Sequence, residues 1–373
     1  MKVDSLAAAT LVIGAVLVLG VSGCGPSTAN PPSTGGTSFE VDPSWPRPLP
    51  NNWIIGQVAG AAVDSRDHVW ILHRPGSLTE NEAGAVQDPP ISSCCVPAPP
   101  VIEFDPDGNV IQAWGGPDSG ERWPESEHGL FVDHEDNVWL ASSAPQDHVV
   151  LKFDRNGRRL LTIGEWGVTG GSNDTVHLGR PADIAVDSAA NEVYVADGYG
   201  NRRIIVFDSR TGEYKRHWGA YGEPPDDDKE LGPYDPDAPP IRSFRSPMHA
   251  VRLANDGLVY AADRVNNRIQ VFRKDGTFVQ EAFIARRTLS TGSVWDIELS
   301  PDPEQTYVYV PDGANMKVWI LERQSLEVIG SFGRGGRNAG QFNWVHNVAA
   351  DSDGNLYTTE VNTGKRVQRF VRR

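Results

Sequence analysis

Short runs of alternating apolar and polar residues, separated by turns rich in Asp, Asn and Gly, fill the chain from residue 39 onward. The apolar positions are mostly β-branched or aromatic, and this period of two predicts half-buried β-strands. The long three- and four-residue periodicities of a helix bundle are missing from the sequence. The pattern therefore predicts an all-β fold.

The predicted strands recur as six copies of one unit. The third copy is the clearest, with a first strand at 181–187, a second at 192–197 and a third at 203–207. The corresponding second strands of all six copies are 69–72, 138–140, 193–195, 259–261, 308–310 and 356–358. Four-stranded units at such a period predict a six-bladed β-propeller. The last copy lacks a fourth strand, and we expect residues 39–41 to supply it and close the ring.

The beginning of the chain has a different character. Residues 1–23 carry Lys2 and an apolar run from Leu6 to Leu19, which is typical of a signal peptide. The small residues before Cys24 resemble the bacterial lipobox, in which the cysteine is lipidated; an ordinary signal peptide or an uncleaved anchor is the alternative. Residues 24–38 predict a flexible Gly/Pro/Ser tether, which leaves 39–373 as the propeller domain. We therefore expect a bacterial cell-envelope protein, lipid-anchored in the periplasm or on the outer face.

The formal net charge of −15 belongs to the predicted domain, because Lys2 and Asp4 cancel within the signal peptide. This charge argues against nucleic acids and anionic lipid surfaces as partners. Apart from Cys24, the chain has two adjacent cysteines, Cys94 and Cys95, which can form a disulfide or remain free thiols. We expect a monomer that meets the membrane only through its lipid anchor and acts on a small-molecule or peptide substrate.

One position of the repeat carries candidate chemistry, and we call it the axial position. It lies five residues before the position of Asp187, and the six copies fill it with Ala59, His128, Ala182, His249, Trp295 and His346. Histidine occurs only in the even copies, so a ring of six blades places three imidazoles a third of a turn apart, facing the axis. A single histidine in a strand is usually structural, but three neutral imidazoles that meet form a typical zinc site with one open coordination position.

The ring geometry also predicts which residues lie beside the histidines. In a propeller blade the start of the first strand and the loop after the second strand lie on the same face. Arg74, Tyr199 and Arg264 follow second strands and therefore share the opening with the histidines. Arg74 takes a place that other copies give to a carboxylate, which we expect to cap its loop or to pair with arginine; these acids are Asp197, Asp263, Asp312 and Glu360.

These repeats resemble NHL repeats, and the chain more narrowly resembles the peptidyl-α-hydroxyglycine α-amidating lyases, which complete peptide C-terminal amidation. The likeness extends over roughly 53–370, which includes all six predicted blades. It rests on the strings Gly56-Gln57-Val58-Ala59-Gly60, His73-Arg74, His128-Gly129-Leu130, Asp197-Gly198-Tyr199, Pro247-Met248-His249, Ala262-Asp263-Arg264 and Val345-His346.

The resemblance implies roles for the residues at the predicted opening. The zinc ligands that it implies are His128, His249 and His346. It implies Tyr199 as the base that takes the proton of the substrate hydroxyl. Two arginines, Arg74 and Arg264, are implied to orient the substrate and stabilise charge.

The resemblance also implies a structural calcium ion, bound by the main-chain carbonyls of Ala61 and Leu130 and by an aspartate after the last zinc histidine. That residue is Asn347 here, so we expect the calcium site to be weak or empty. Two further departures are Gly200, where the family has a cysteine, and Trp344, where it has a methionine. The tryptophan is expected to narrow or reshape the substrate pocket.

Together these features predict a zinc-dependent lyase that cleaves the N–C bond of a peptidyl-α-hydroxyglycine-like carbinolamide to an amide and glyoxylate. One alternative is a metal-dependent propeller lactonase or hydrolase, although these usually use carboxylate-rich calcium sites. Another is a non-catalytic NHL propeller that binds a protein or glycan in the cell envelope, with zinc as a structural pin. A fourth protein ligand favours the structural role, and an open position favours catalysis.

Overall fold

The structure, a computed structural model, describes residues 38–373. The predicted signal peptide, Cys24 and the tether up to residue 37 lie outside the described residues. Within 38–373 the fold is all-β, and its helical segments are short 3-10 turns at Pro75–Ser77, Gly84–Val86, Pro117–Ser119 and Ala220–Gly222. None of the helices in this part of the chain has the length and hydropathy needed to cross a membrane.

Six four-stranded antiparallel sheets form the blades of a propeller. Blade 1 comprises Gln57–Val63, Val69–Arg74, Val101–Phe104 and Val110–Trp114, and blade 2 comprises Glu127–Val132, Val138–Ser142, Val149–Phe153 and Arg159–Gly164. Blade 3 comprises Asp183–Asp187, Glu192–Asp197, Arg203–Asp208 and Tyr214–Trp218, and blade 4 comprises Met248–Leu253, Leu258–Asp263, Arg268–Arg273 and Phe278–Phe283. Blade 5 comprises Glu298–Leu299, Tyr307–Asp312, Lys317–Glu322 and Val328–Phe332, and blade 6 comprises Val345–Ala350, Leu356–Glu360, Arg366–Arg372 and Phe39–Asp42.

The N-terminal strand closes the ring, as the sequence predicts. Phe39–Asp42 pairs antiparallel with Arg366–Arg372, so both ends of the described chain lie in one sheet. Phe39 packs on Tyr309 and Phe332 of blade 5, with ring centroids 5.6 and 4.9 Å apart. The closing strand therefore joins the last blade to its neighbour by side-chain packing as well as by main-chain pairing.

The core lies between the blades and is built around an aromatic residue in each second strand. All six of these residues are at most 1% exposed: Trp70, Trp139, Tyr194, Tyr260, Tyr309 and Tyr357. Burial of one such side chain contributes about 2–3 kcal/mol. Four of them keep a hydrogen-bond partner by donating to acids, with the pairs Trp70–Asp64, Trp139–Asp133, Tyr194–Glu192 and Tyr357–Asp351.

The first strands of the blades surround an axial tunnel, and most neighbouring first strands contact one another. Blade 5 is irregular, because its first strand begins only at Glu298. The axial residue Trp295 precedes that strand, but its N–H still donates to the Pro311 carbonyl of the second strand at 3.1 Å. The axial position of blade 5 therefore keeps its place in the ring.

The acids after the second strands pair locally, as predicted. Arginine side chains donate to three of them at 2.7–2.9 Å, in the pairs Arg203–Asp197, Arg268–Asp263 and Arg366–Glu360. The fourth, Asp312, accepts from the Trp319 indole at 2.9 Å. These buried contacts fix the loops that carry Tyr199 and Arg264.

Two long loops, residues 75–100 and 219–247, connect strands of the ring. Residues 75–100 include Val96–Pro97, which pairs in parallel with Trp53–Ile54. This connection also carries Cys94 and Cys95, which are joined by a disulfide bond. In the second connection, residues 219–247, Arg245 donates to main-chain carbonyls of the same loop and thereby orders it.

Candidate metal centre

Three histidines from alternate blades meet on the axis. Each is the second residue of the first strand of an even blade: His128 in blade 2, His249 in blade 4 and His346 in blade 6. Their ring centroids are 4.8, 4.9 and 5.0 Å apart, and their candidate ligand nitrogens all lie within 4.8 Å of one another. All three are at most 4% exposed. The convergence predicted from the repeat register is therefore observed, and we call the three residues the tripod.

A local irregularity in the sheet accompanies each tripod histidine. Pairing between the first and second strands shifts register between Glu127 and Leu130, between Met248 and Ala250, and between Val345 and Val348. Such bulges bend a strand and redirect the side chain at the bulge. The irregularities thus occur at the residues whose side chains face the tunnel.

Each histidine ring is held by the main chain of the next blade. The Nδ1 atom of His128 is 2.7 Å from the Ala182 carbonyl, and that of His346 is 2.8 Å from the Ala59 carbonyl. The Nδ1 atom of His249 bonds the Trp295 carbonyl in the same way. These three acceptors are the axial residues of the odd blades. The six axial positions therefore form three imidazole–carbonyl pairs around the ring.

These pairs fix the tautomer of every ring. A carbonyl only accepts, so Nδ1 must carry the hydrogen and Nε2 keeps a free lone pair. Burial, together with the positive charges of Arg74 and Arg264, lowers the pKa of His346 to about 3. Burial likewise holds the pKa values of His128 and His249 well below the ordinary value. The tripod consists of neutral imidazoles with free Nε2 atoms, which is the form that binds a metal ion.

The phenol of Tyr199 lies against the free nitrogens. Its oxygen is 2.9 Å from Nε2 of His128 and 3.3 Å from Nε2 of His249. Tyr199 follows the second strand of blade 3, where Gly198 brings the loop against the main chain of Met248. A Cβ atom on Gly198 would lie 1.9 Å from the Met248 carbonyl oxygen, so only glycine fits there. The phenol oxygen therefore lies on the side of the tripod where a bound metal ion would have its fourth position.

The two predicted arginines flank the tripod in different ways. Arg74 is fixed, because its Nε donates to the Glu127 carbonyl at 2.7 Å and its Nη1 to Gln57 at 3.1 Å. Arg264 lies over the Trp295 indole, 4.6 Å from the ring centroid, and this indole contacts two of the histidine rings. The buried Nε of Arg264 has no hydrogen-bond partner within residues 38–373. Arg264 therefore retains hydrogen-bonding capacity toward a ligand.

A third arginine lies beside the same phenol. The Arg180 guanidinium is 5.6 Å from the centroid of the Tyr199 ring, and its Nε donates to the Ser143 carbonyl at 2.8 Å. The sequence reasoning did not single out Arg180, because it precedes a first strand rather than following a second one. The mouth of the tunnel therefore carries three positive charges.

The tripod fits a tetrahedral metal such as zinc. Nitrogens bound to one zinc ion at about 2.0–2.1 Å lie roughly 3.4 Å apart, so small inward shifts of the rings would suffice. A second cluster of possible ligands in the described residues, Asp64, His68 and Glu103, is already joined by Arg155 and by the His68–Glu103 contact. That cluster is a filled ion-pair network and offers no free ligand set.

Comparison with known proteins agrees with the fold. The NHL repeat model matches residues 178–207. Peptidyl-α-hydroxyglycine α-amidating lyase 1 of Drosophila melanogaster is 30% identical over 352 residues, which are 88% of this chain and 59% of that protein. Peptidyl-glycine α-amidating monooxygenase B of Xenopus laevis is 26% identical over 337 residues, which are 86% of this chain and 34% of that protein. The solved structure of a streptogramin B lyase covers 90% of this chain and 98% of its own, with a TM-score of 0.52 and 11% identity, and supports the fold alone.

The protein is a six-bladed β-propeller that contains an NHL repeat at 178–207 and resembles the amidating lyases. The resemblance predicted from the motif strings is thereby confirmed. The chain spans 59% of the length of the Drosophila relative and 34% of the Xenopus relative, so each match covers one part of a longer protein.

The residues implied for calcium in this propeller do not fit a calcium ion. The Asn347 oxygen already accepts from the main-chain N–H of Ala61 at 2.8 Å, and the Asn347 amide group donates to Asp296. Calcium takes six to eight oxygen ligands and usually several carboxylates, whereas Asn347 is neutral and both ends of its amide already have partners. Ala61 and Leu130 do line a cavity of the tunnel, but Arg252 lines the same cavity.

Sequence reasoning also missed the acids beneath the tripod. Asp183 and Asp296 occupy the position directly after the axial position in blades 3 and 5, and Asn347 occupies it in blade 6. Comparing the copies one residue further along would have revealed this group. Its partner Arg252 has no such signal, since it lies three residues after His249 and no other tripod histidine is followed by arginine at that spacing.

Proposed function

We propose that this protein is a zinc-dependent lyase that cleaves the N–C bond of a peptidyl-α-hydroxyglycine-like carbinolamide, releasing an amide and glyoxylate. The observation that carries the proposal is the Tyr199 phenol, which lies within hydrogen-bond distance of two tripod nitrogens on the open side of the site. Within residues 38–373 no fourth His, Cys, Asp or Glu side chain joins this group, as the usual closed structural zinc site would require.

The proposed zinc ligands are the Nε2 atoms of His128, His249 and His346. Bound there, zinc supplies Lewis acidity that promotes loss of the proton from a substrate hydroxyl. The imidazole–carbonyl pairs hold the three rings before the metal arrives, so little reorganisation is needed on binding.

Tyr199 is the proposed proton acceptor. A carbinolamide collapses when its hydroxyl loses a proton, the C–N bond breaks and the nitrogen gains a proton. Once Tyr199 has lost its own proton to solvent, its phenolate oxygen takes the hydroxyl proton as the C=O bond of glyoxylate forms, and the electron pair of the C–N bond leaves with nitrogen. The same proton then passes to the nitrogen, so the products are a neutral amide and glyoxylate, and no water or redox partner is consumed.

The arginines position the substrate and its charge. A hydroxyglycine unit carries a carboxylate on the carbon that reacts, and a guanidinium can hold a carboxylate through two parallel hydrogen bonds. Arg264 is the proposed carboxylate ligand because its Nε is buried and unpartnered within the described chain. Arg74, already fixed by main-chain and amide acceptors, contributes a stationary positive charge.

Relatives named as amidating lyases support the substrate class. Trp344, where the family has a methionine, lies 5.9 Å from the Trp295 ring and adds apolar surface beside Arg264. We propose that this surface favours an apolar residue next to the hydroxyglycine unit, since tryptophan faces bury large apolar area.

The test is release of glyoxylate from an N-acyl-α-hydroxyglycine, measured with metal-depleted protein and with protein reloaded with one equivalent of zinc. We expect activity only after zinc is restored, above a protein-free blank run at the same pH. His249→Ala should neither retain zinc nor release glyoxylate. A wild-type protein with stoichiometric zinc but no glyoxylate release would support the non-catalytic alternative.

We also propose that Cys24 is lipidated and anchors the propeller outside the cytoplasmic membrane. The support is the signal-like segment 1–23, the small residues before Cys24 and the polar residues after it. Expression in a bacterial host followed by mass spectrometry of the mature N-terminus tests this, with Cys24→Ser as the matched control. A soluble mature protein with an unmodified Cys24 would overturn it.

A further inference from the structure

We propose that Arg252 is the permanent cation of the axial tunnel beneath the tripod, and that its ion pairs with Asp183 and Asp296 replace a structural calcium ion and position the zinc ligands. The inference depends on the tripod as a metal site and does not depend on the lyase reaction. Its first measurement requires neither.

The ion pairs are buried and closely spaced. Nη1 of Arg252 is 2.6 Å from Asp183 Oδ2, and Nη2 is 3.3 Å from Asp296 Oδ1. The side chains of Arg252, Asp183 and Asp296 are 8%, 5% and 3% exposed. Glu298 lies farther away, 3.8 Å from Nε of Arg252. The guanidinium sets one positive charge against these carboxylates, in a place that a metal ion could otherwise take.

Asp183 connects the supports of two tripod histidines. It directly follows Ala182, whose carbonyl holds Nδ1 of His128. Its Oδ2 also accepts the main-chain N–H of Val251 at 3.1 Å, two residues after His249. The Asp183 carboxylate therefore ties the support of His128 to the strand that carries His249.

Asp296 makes the equivalent connection on the other side of the ring. It directly follows Trp295, whose carbonyl holds Nδ1 of His249. Its Oδ2 accepts the main-chain N–H of Val348 at 3.1 Å, two residues after His346. Because Arg252 binds both carboxylates, one side chain links the strands that carry His249 and His346 with the residue that supports His128.

The arrangement leaves calcium with few free oxygen ligands. The Asn347 oxygen is engaged by the Ala61 N–H, and Oδ2 of Asp183 and of Asp296 accept from arginine, asparagine and main-chain donors. Oδ1 of Asp296 accepts no hydrogen bond within residues 38–373, and the Arg252 guanidinium lies 3.3 Å from it as its counter-ion. Below Arg252 the tunnel opens into a cavity of about 230 Å³. Removing the Arg252 charge would leave Asp183, Asp296 and Glu298 without this cation, and Glu298 lines the cavity. Such a carboxylate group is what calcium prefers.

The first measurement uses the unmodified full-length protein. Its thermal midpoint is recorded with EGTA and with millimolar CaCl2, and bound calcium is determined by mass spectrometry after desalting. We expect the midpoint to be the same within about 1 °C and calcium to be far below one equivalent, since a ligand that does not bind the native state adds no stability. A stoichiometric calcium ion, or a midpoint several degrees higher with CaCl2, would overturn the proposal.

The second measurement uses Arg252→Met, with Arg252→Lys as the charge-retaining variant and Arg273→Met, an exposed residue of the same blade, as the control. Breaking one side of a buried ion pair is strongly destabilising, so we expect Arg252→Met to melt roughly 5–10 °C lower in EGTA. CaCl2 should restore part of this loss only in Arg252→Met. Zinc affinity should fall about 10- to 100-fold in Arg252→Met, as expected when the support of metal ligands is lost.

The variants separate positioning from general stability. Arg252→Lys should remain insensitive to calcium and lose less zinc affinity, because it keeps a cation in the tunnel. Arg252→Met with wild-type melting and wild-type zinc affinity would refute the positioning role. If Arg252→Met does not fold, the calcium content of the wild type and the calcium response of Arg252→Lys still decide the question. A calcium-stabilised Arg252→Lys would count against the proposal.

Discussion

Even and odd blades share one fold and contribute different chemistry at the same repeat position. At the axial position the even blades place imidazoles, and the odd blades place Ala59, Ala182 and Trp295, which act through their carbonyl oxygens. One residue further along, two odd blades carry Asp183 and Asp296, whereas blades 2 and 4 carry glycine and alanine. A ring of similar blades thus becomes a site with threefold alternation.

The difference shows how little sequence change a repeat protein needs in order to build a site. A main-chain carbonyl is present whatever the side chain, so the odd blades can hold the rings without a dedicated residue type. The even blades need histidine, because imidazole alone supplies both an Nδ1 donor and an Nε2 lone pair in the neutral form. Replacing an even-blade histidine should therefore destroy the metal site, whereas replacing the axial side chain of an odd blade should leave its supporting carbonyl in place.

The largest expected effect is loss of metal on removing any even-blade histidine. His128→Ala, His249→Ala and His346→Ala should each lose stoichiometric zinc, and glyoxylate release should fall to the blank. A double variant should be no worse than a single one, because the three ligands act as a unit. Zinc content and turnover check this, with the exposed His134→Ala as control. Full zinc and full activity in any single variant would show that its histidine is not a ligand, and the assignment of three even-blade ligands would be wrong.

Removing the phenol should affect turnover and leave the metal in place. Tyr199→Phe keeps the ring against the tripod and removes the proton acceptor, so we expect kcat to fall about 10²- to 10⁴-fold. Zinc content should stay at one equivalent, which separates this odd-blade residue from the even-blade ligands. The control is Tyr214→Phe, at a partly exposed tyrosine in the fourth strand of blade 3, which should keep its activity. An unchanged kcat in Tyr199→Phe would remove Tyr199 from the mechanism.

The fold could be predicted from the sequence because the residues that form each blade are close in sequence and recur in six copies. The aromatic residue of each second strand, the turn acids and the period of the copies appear six times, so a doubtful copy is supported by the others. The closing strand could be found because the last copy lacks one. Blade 5 shows the limit: its axial residue was aligned correctly, although the first strand itself begins only at Glu298.

The tripod could be predicted for the same reason. Equivalent positions of the six copies lie at regular angles around the axis, so histidines in alternate copies must face one another. The supports of the tripod could not be predicted, because a main-chain carbonyl carries no residue signature. The ion pairs of Arg252 were also hidden, since they join residues of blades 3, 4 and 5 that lie far apart in sequence. Such non-repeated long-range contacts appear only once the ring is built.

Arg264 belongs to an even blade, but we expect it to bind the substrate and not the metal. It therefore tests whether the even blades hold the metal through their histidines alone. Arg264→Lys keeps the charge and loses the two-pronged geometry, so we expect KM for an N-acyl-α-hydroxyglycine to rise about 10- to 100-fold. Zinc should remain at one equivalent. Steady-state kinetics check this beside Arg273→Lys, an exposed position on the same blade. A loss of zinc would instead mean that the even blades support the metal through their loops as well.

The smallest effect tests whether an odd blade acts through its main chain. Trp295 offers two things: its carbonyl holds His249, and its indole lies under Arg264. Trp295→Leu keeps the carbonyl and removes only the indole, whose cation–π contact is worth about 0.5–1 kcal/mol. We therefore expect unchanged zinc content and a rise in KM of about 2- to 5-fold. If zinc were lost, the Trp295 side chain would be needed to shape the support of His249, and the division between imidazole blades and carbonyl blades would fail at blade 5.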